Sequence, residues 1–220
     1  MVDDNSGHLE VDQLDLLKSS KDDLPLLAGN RMGRESPLNN EENNLETILE
    51  SKHKVRKLLI IDTETTGLDP KENHCIEVGA ILFEISNRIV LAQYSSLLPV
   101  SSNEAELINR IPAHTTKIKQ PWQQSLVYLE SLVDSADLIV AHNVEFDKQW
   151  FGKNQLPSIS KPWLCTMEDI RWPADRQLRI RPSVRDLALA YGVPVWSAHR
   201  ALTDCIYISE VFMRCENLEE

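Results

Sequence analysis

Apolar residues are sparse and aperiodic up to about residue 54, and from there they gather into runs and periods. "VRKLLIID" (55–62) carries Val, Leu and Ile without polar alternation, the pattern of a central strand covered on both faces. "HCIEVGAILFEI" (74–85) and "RIVLAQYSSLL" (88–98), separated by Ser86-Asn87, predict two further antiparallel strands. In "PWQQSLVYLESLVDSA" (121–136) the apolar spacing changes to three and four, which predicts a helix with Pro121 in its first turn. "DLIVAHN" (137–143) reads as a short buried strand that runs directly into another helix. "SVRDLALAYGVP" (183–194) predicts a helix stopped by Gly192, which tolerates a left-handed cap, and by Pro194, which cannot continue the helix. The last helix is expected to start near His199, with Ala201, Cys205, Ile208, Phe212 and Cys215 along one face.

Three strands, a helix, a strand and then helices imply an α/β layer fold with a mixed sheet. The domain is expected to occupy residues 55–220. Residues 1–54 lack the apolar surface needed to offset the entropy of ordering, so they are expected to form an acidic, disordered arm.

Charge sharpens that boundary. The net charge is −11, but residues 1–50 hold 12 acids and 4 bases, a net of −8. Overall acidity argues against broad electrostatic binding of nucleic acid, yet the acidity belongs largely to the arm. Cys75, Cys165, Cys205 and Cys215 form no C-x-x-C pair, which predicts reduced thiols rather than a disulfide framework or a zinc site. No apolar run approaches the roughly 20 residues of a membrane span, and "MVDDNSGHLE" lacks the layout of a signal peptide. The expected location is the cytoplasm, without membrane association.

Against this background four acids stand out. Asp62 and Glu64 end an apolar strand and, two apart, point to the same face, while Thr63 points to the other. In "AHNVEFDKQWF" (141–151) Asp147 shares a helical face with Val144, Trp150 and Phe151, with Asn143 as a helix cap. A buried, unpaired carboxylate costs several kcal/mol, so a positive group should meet it. Asp204 lies at the rim of the last helix's core face, and His199 converges with it if that residue belongs to the preceding loop. No obvious lysine or arginine within these motifs neutralises all four acids. A pair of divalent cations, Mg²⁺ or Mn²⁺, would do so, and two such ions suit phosphodiester cleavage. His199 suits the removal of a proton from an attacking water.

The ordered set of D-x-E in "IIDTETTGL", D in "AHNVEFD" and H-x-x-x-x-D in "HRALTD" resembles the DEDD superfamily of 3′–5′ exonucleases. The histidine marks the subgroup (DEDDh) that includes the DNA polymerase III epsilon subunit and ribonuclease T. The similarity covers roughly residues 55 to 215 and includes the "IEVGAILFE" strand. It implies a ribonuclease H-like fold, with a mixed five-stranded sheet flanked by helices. It also implies release of nucleoside 5′-monophosphates from the 3′ ends of DNA or RNA, in replication proofreading or repair. Carried onto this chain, Asp62, Glu64, Asp147 and Asp204 hold two metals and His199 is the general base. Thr65 and Leu68 match positions that contact the terminal nucleotide, Leu68 by wedging against its base.

Other features admit two readings. Arg171, Arg176, Arg179, Arg181 and Arg185 either line the path of a phosphate backbone or form a salt-bridged surface. His142 follows a strand directly and is expected to order the turn; His114 is structural or on the substrate side. In the arm, Gln13-Leu14-Asp15-Leu16-Leu17 resembles the short bacterial sliding-clamp-binding peptide, which would tether the domain to a clamp or DNA polymerase. The alternative functions are trimming of RNA 3′ ends, or a catalytically silent nucleic-acid-binding module. The silent module usually lacks a ligand or the histidine, and neither is missing here.

Overall fold

The computed structural model describes residues 55–197 and 199–215. The expected 1–54 arm, with its Gln13–Leu17 peptide, lies outside the described residues. One mixed sheet runs in the order β3-β2-β1-β4-β5. Its strands are β1 (Lys57–Thr65), β2 (Cys75–Glu84), β3 (Ile89–Leu97), β4 (Leu138–Ala141) and β5 (Trp163–Cys165). The first three form an antiparallel meander; β4 and β5 extend the sheet in parallel from β1. The helices are α1 (Glu106–Asn109), α2 (Ala113–Thr116), α3 (Trp122–Ser135), α4 (Val144–Lys148), α5 (Val184–Ala190) and α6 (Ala201–Arg214).

The unbroken apolar run of β1 follows from its cover on both faces. Leu59 and Ile61, with Val78, Ala80 and Leu82 of β2, pack under Leu126, Leu129, Leu132 and Val133 of α3. Leu58 and Ile60, with Ile81 and Phe83, pack under Leu187 of α5 and Cys205, Ile208 and Phe212 of α6. The helix α5 opens on Ser183, whose side chain accepts from the Asp186 amide in a capping box. Gly192 takes φ +70 just after α5, the left-handed stop that the sequence predicts.

The one-turn helices α1 and α2 and the three-residue β5 are too short for periodicity to reveal. Helix α4 stops at Lys148, so Trp150 and Phe151 lie beyond it, although both are buried. Among the described residues, no helix is long and apolar enough to cross a membrane.

Candidate active site

Along one face of the sheet, Leu58, Ile60, Asp62 and Glu64 of β1 lie opposite Phe83, Ile81, Gly79 and Glu77 of β2. The first half of this face is apolar and the second half acidic. The start of α6 presses onto Gly79: a Cβ there would stand 2.3 Å from Ala201 C and from Leu202 N. Gly79 is the register partner of Asp62, so this close approach carries Asp204, in the first turn of α6, to the Asp62 carboxylate. We expect Gly79→Ala to push the start of α6 away. It should cost about 1–3 kcal/mol of stability, the usual range for overpacking, and lower activity more than ligand-free folding would suggest. Denaturant melts and turnover of the same preparation check it.

One carboxylate oxygen from each of Asp62, Glu64 and Asp204 lies within 4.8 Å of the others. Asp147 joins them by another route. The parallel pairing of β1 with β4 ends at Ile60↔Val140, which leaves the edge of β1 open beyond it. There Asp147 Oδ1 accepts from the Thr63 amide at 3.0 Å and from Thr63 Oγ1 at 2.8 Å. One oxygen of this buried carboxylate is thus held by a strand-edge amide and a hydroxyl.

The electrostatics are those of crowded acids. Burial, then the charges of Asp147, Asp204 and Glu64, push the Asp62 carboxyl well above the usual carboxylate range. Burial, then Asp204, Glu77 and Asp147, push Glu64 up to about 8. Burial also raises Asp147, against the Thr63 hydrogen bonds, and raises Asp204, against the His199 backbone amide. Four carboxyls with depressed acidity, three of them converging on one point, form an all-oxygen donor set suited to Mg²⁺ or Mn²⁺.

These shifts set a stability profile. Each of these acids binds its proton more tightly folded than unfolded, so the folded chain carries extra protons from about pH 4 up to about 8. Stability of the metal-free protein is therefore expected to fall as pH rises through that window. Millimolar Mg²⁺ or Mn²⁺ should reverse the fall, because the ion binds the deprotonated cluster. Thermal melts from pH 5 to pH 8, with and without metal, test both signs; a flat metal-free profile contradicts them.

His199 lies exposed in the loop before α6, with φ +61, and its backbone amide bonds Asp204. The next residue, the arginine within the last motif, pairs with a fifth acid rather than with the four. Arg200 forks onto Glu77 through Nη2 at 2.8 Å and Nε at 3.0 and 3.2 Å, and the Ala201 amide adds a bond at 3.0 Å. Glu77, 1% exposed and directly opposite Glu64, thus fastens the start of α6 to β2. The sequence reading missed it, although the signal was available: an acid inside the apolar run "CIEVGA".

The Thr65 hydroxyl donates to the Gly67 carbonyl at 2.6 Å, within the turn, whereas Leu68 stands exposed just beyond it. Asn73 fills the space beside Gly67, where a Cβ would meet its Oδ1 at 2.3 Å. The buried Asn109, also missed, donates to the Thr65 carbonyl at 3.0 Å and ties α1 to the end of β1. His142, expected to order its own turn, instead ties the end of β4 to two distant segments. Its Nε2 donates to the Pro182 carbonyl at 2.8 Å, which leaves Nδ1 to accept from Thr166 Oγ1. Of the five arginines, Arg179 pairs with Asp186, Arg181 with Glu168, and Arg176 lies over the Tyr191 ring. That favours the salt-bridged surface for Arg179 and Arg181, while Arg176 packs against the end of α5.

Comparisons with known proteins align with this geometry. The RNase_T family model, described as exonuclease, matches residues 59–212. The chain is 30% identical over 165 residues to the PolC-type DNA polymerase III of Thermotoga maritima, covering 71% of this chain. It spans only 12% of that polymerase's length. It is 28% identical to the DNA polymerase III subunit epsilon of Treponema pallidum, covering 69% of this chain and 72% of the relative. Among solved structures, exonuclease X in complex with 5′-overhanging duplex DNA superposes with a TM-score of 0.50 at 25% identity, over 71% of this chain and 89% of that one. The nuclease domain of 3′hExo, a DEDDh family member, shares the fold with a TM-score of 0.54 at 14% identity, over 73% of this chain and 91% of that one.

Proposed function

The chain belongs to the RNase_T exonuclease family, and on that premise we propose that it is a metal-dependent 3′–5′ exonuclease that releases nucleoside 5′-monophosphates. Its sheet and flanking helices are the ribonuclease H-like arrangement expected from the motifs. The observation that carries the proposal is the convergence of Asp62, Glu64 and Asp204 oxygens within 4.8 Å, beside a buried Asp147.

Asp62, Glu64, Asp147 and Asp204 would hold two divalent cations. Bound there, the cations would stabilise negative charge on the attacking and departing oxygens of an in-line displacement. The surrounding residues do the positioning. The Thr63 amide and hydroxyl fix the Asp147 carboxylate, and the Glu77–Arg200 fork sets the first turn of α6. His199, exposed at the site's edge, takes the proton of the attacking water. Leu68, exposed past the end of β1, meets the terminal base, and Thr65 shapes the turn that presents it.

The relatives named as DNA polymerase III epsilon and PolC-type enzymes support a DNA substrate, a place in replication proofreading, and association with a replicative polymerase. The test is digestion of 5′-labelled DNA and RNA strands with Mg²⁺, each with a free or a blocked 3′ end. Stepwise shortening from free DNA ends, and none from blocked ones, is the expected result. Cutting of blocked strands would replace the exonuclease with an endonuclease, and a preference for RNA ends would replace proofreading with RNA trimming.

A further inference from the structure

The sheet register leads from the acids to a second feature. Glu64 lies opposite Glu77, and Glu77 lies opposite Leu97 on β3, so these three residues form one row across the sheet. The Leu97 carbonyl accepts from Gln120 Nε2 at 3.0 Å, and Gln120 lines a cleft of about 650 Å³. Pro99, Lys117, Ile118, Lys119 and Trp122 line it as well. The cleft therefore opens at the same end of the sheet as the acids. Two strand spacings, roughly 10 Å, separate β1 from β3.

Its chemistry is the opposite of the acidic row. Lys117 and Lys119 are both exposed, and neither has an ion pair among the described residues. Among the described residues the Lys117 ammonium makes a 3.5 Å approach to the Ser101 carbonyl. Between the two lysines Ile118 is 66% exposed, which leaves an apolar surface framed by cations. The segment that connects this cleft to the acids is held at both ends. Asn109 ties α1 to Thr65 of β1, and Thr116 Oγ1 accepts from the Val100 amide at 3.1 Å. Along it, Leu107 and Ile108 are 97% and 58% exposed. Exposed apolar surface beside unpaired cations matches the two halves of an unpaired nucleotide, its base and its phosphate.

We infer that the Lys117–Ile118–Lys119 cleft is the track for a single-stranded nucleic acid upstream of the 3′ end being cut. This rests on the exonuclease reading for the direction of the strand. The cleft lies past β3, so roughly 10 Å of sheet already separates it from the acids on β1, and a dinucleotide held at the acids ends short of it. A base-paired strand keeps its bases stacked inward and would leave Ile118, Leu107 and Ile108 without partners. The track accordingly selects unpaired ends.

Lys117→Ala/Lys119→Ala removes only exposed side chains outside the acid cluster, so folding is not at stake. Its binding to a labelled single strand of about 15 nucleotides, long enough to fill such a track, is read by fluorescence anisotropy with a cleavage-resistant 3′ linkage. Affinity should fall about tenfold and the slope of log K against log salt should decrease by about 1.4, the loss of two single-strand phosphate contacts. The kcat/KM for the long strand should fall in parallel, while that for a dinucleotide, too short to reach the cleft, stays unchanged. Unaltered binding and salt slope, an equal loss on the dinucleotide, or no binding by the parent protein would each overturn the track. A parent protein that binds the strand but cuts neither substrate would overturn the exonuclease reading instead, with the anisotropy still deciding the track.

Discussion

Replacing Asp62 with Asn is expected to slow phosphodiester cleavage by at least about a thousandfold, equivalent to roughly 4 kcal/mol of barrier, while making the metal-free protein more stable. The two effects have one cause. Asp62 is pressed by burial and by the charges of Asp147, Asp204 and Glu64. An amide of the same shape removes a charge from that group and so relieves Glu64 and Asp204 as well. The gain in melting temperature should be small at pH 5, where the cluster is largely protonated in wild type too, and grow toward pH 8. With Mg²⁺ the order reverses: wild type gains stability by mass action, and the variant, short of one ligand, gains less. Melting curves at both pH values, with and without Mg²⁺, should be paired with single-turnover cleavage. A variant that keeps near-wild-type activity would remove Asp62 from the proposed metal site. A variant that loses activity together with metal-free stability would make Asp62 a folding residue.

The features that could be read along the chain are those whose causes are local. The strand β1 is legible because both faces are covered, which forces an apolar run, and Asp62 and Glu64 are legible because a period of two aims them together. Helix α6 is legible from its buried stripe, Ala201, Cys205, Ile208 and Phe212. What escaped depends on register and on chain ends. That Glu77 faces Glu64, or that Gly79 lies under the start of α6, follows only when two strands and a helix are in place. The Thr63 contact of Asp147 escaped as well, because it depends on strand lengths. β4 pairs with β1 over three residues only, and the amide left open at Thr63 takes the carboxylate. Asn109 finds the Thr65 carbonyl from 44 positions away, a link with no local signature.

Glu77→Ala should be the most damaging single change away from the four acids. The carboxylate is 1% exposed and accepts four hydrogen bonds, three from the Arg200 guanidinium and one from the Ala201 amide. Its removal leaves the Ala201 amide, at the start of a helix without a side-chain cap, unpaired in a buried setting. Breaking a buried ion pair costs about 3–5 kcal/mol, and the lower end applies because the Arg200 side chain is 46% exposed and can turn to water. A loss of about 3 kcal/mol corresponds to a drop in melting temperature of roughly 6–12 °C for a domain of this size. Activity should fall by about a hundredfold or more at temperatures where the variant is fully folded, because Asp204 rides on the released first turn of α6. Glu77→Gln separates the contributions. It keeps one acceptor oxygen, for either Arg200 or the Ala201 amide, turns the other oxygen into a donor, and removes a charge that helps raise Glu64, so it should recover only part of the stability and shift the alkaline requirement for metal binding to lower pH. If Glu77→Ala and Glu77→Gln melt alike and cut alike, the fork is not what positions Asp204, and the close approach at Gly79 holds α6 by itself.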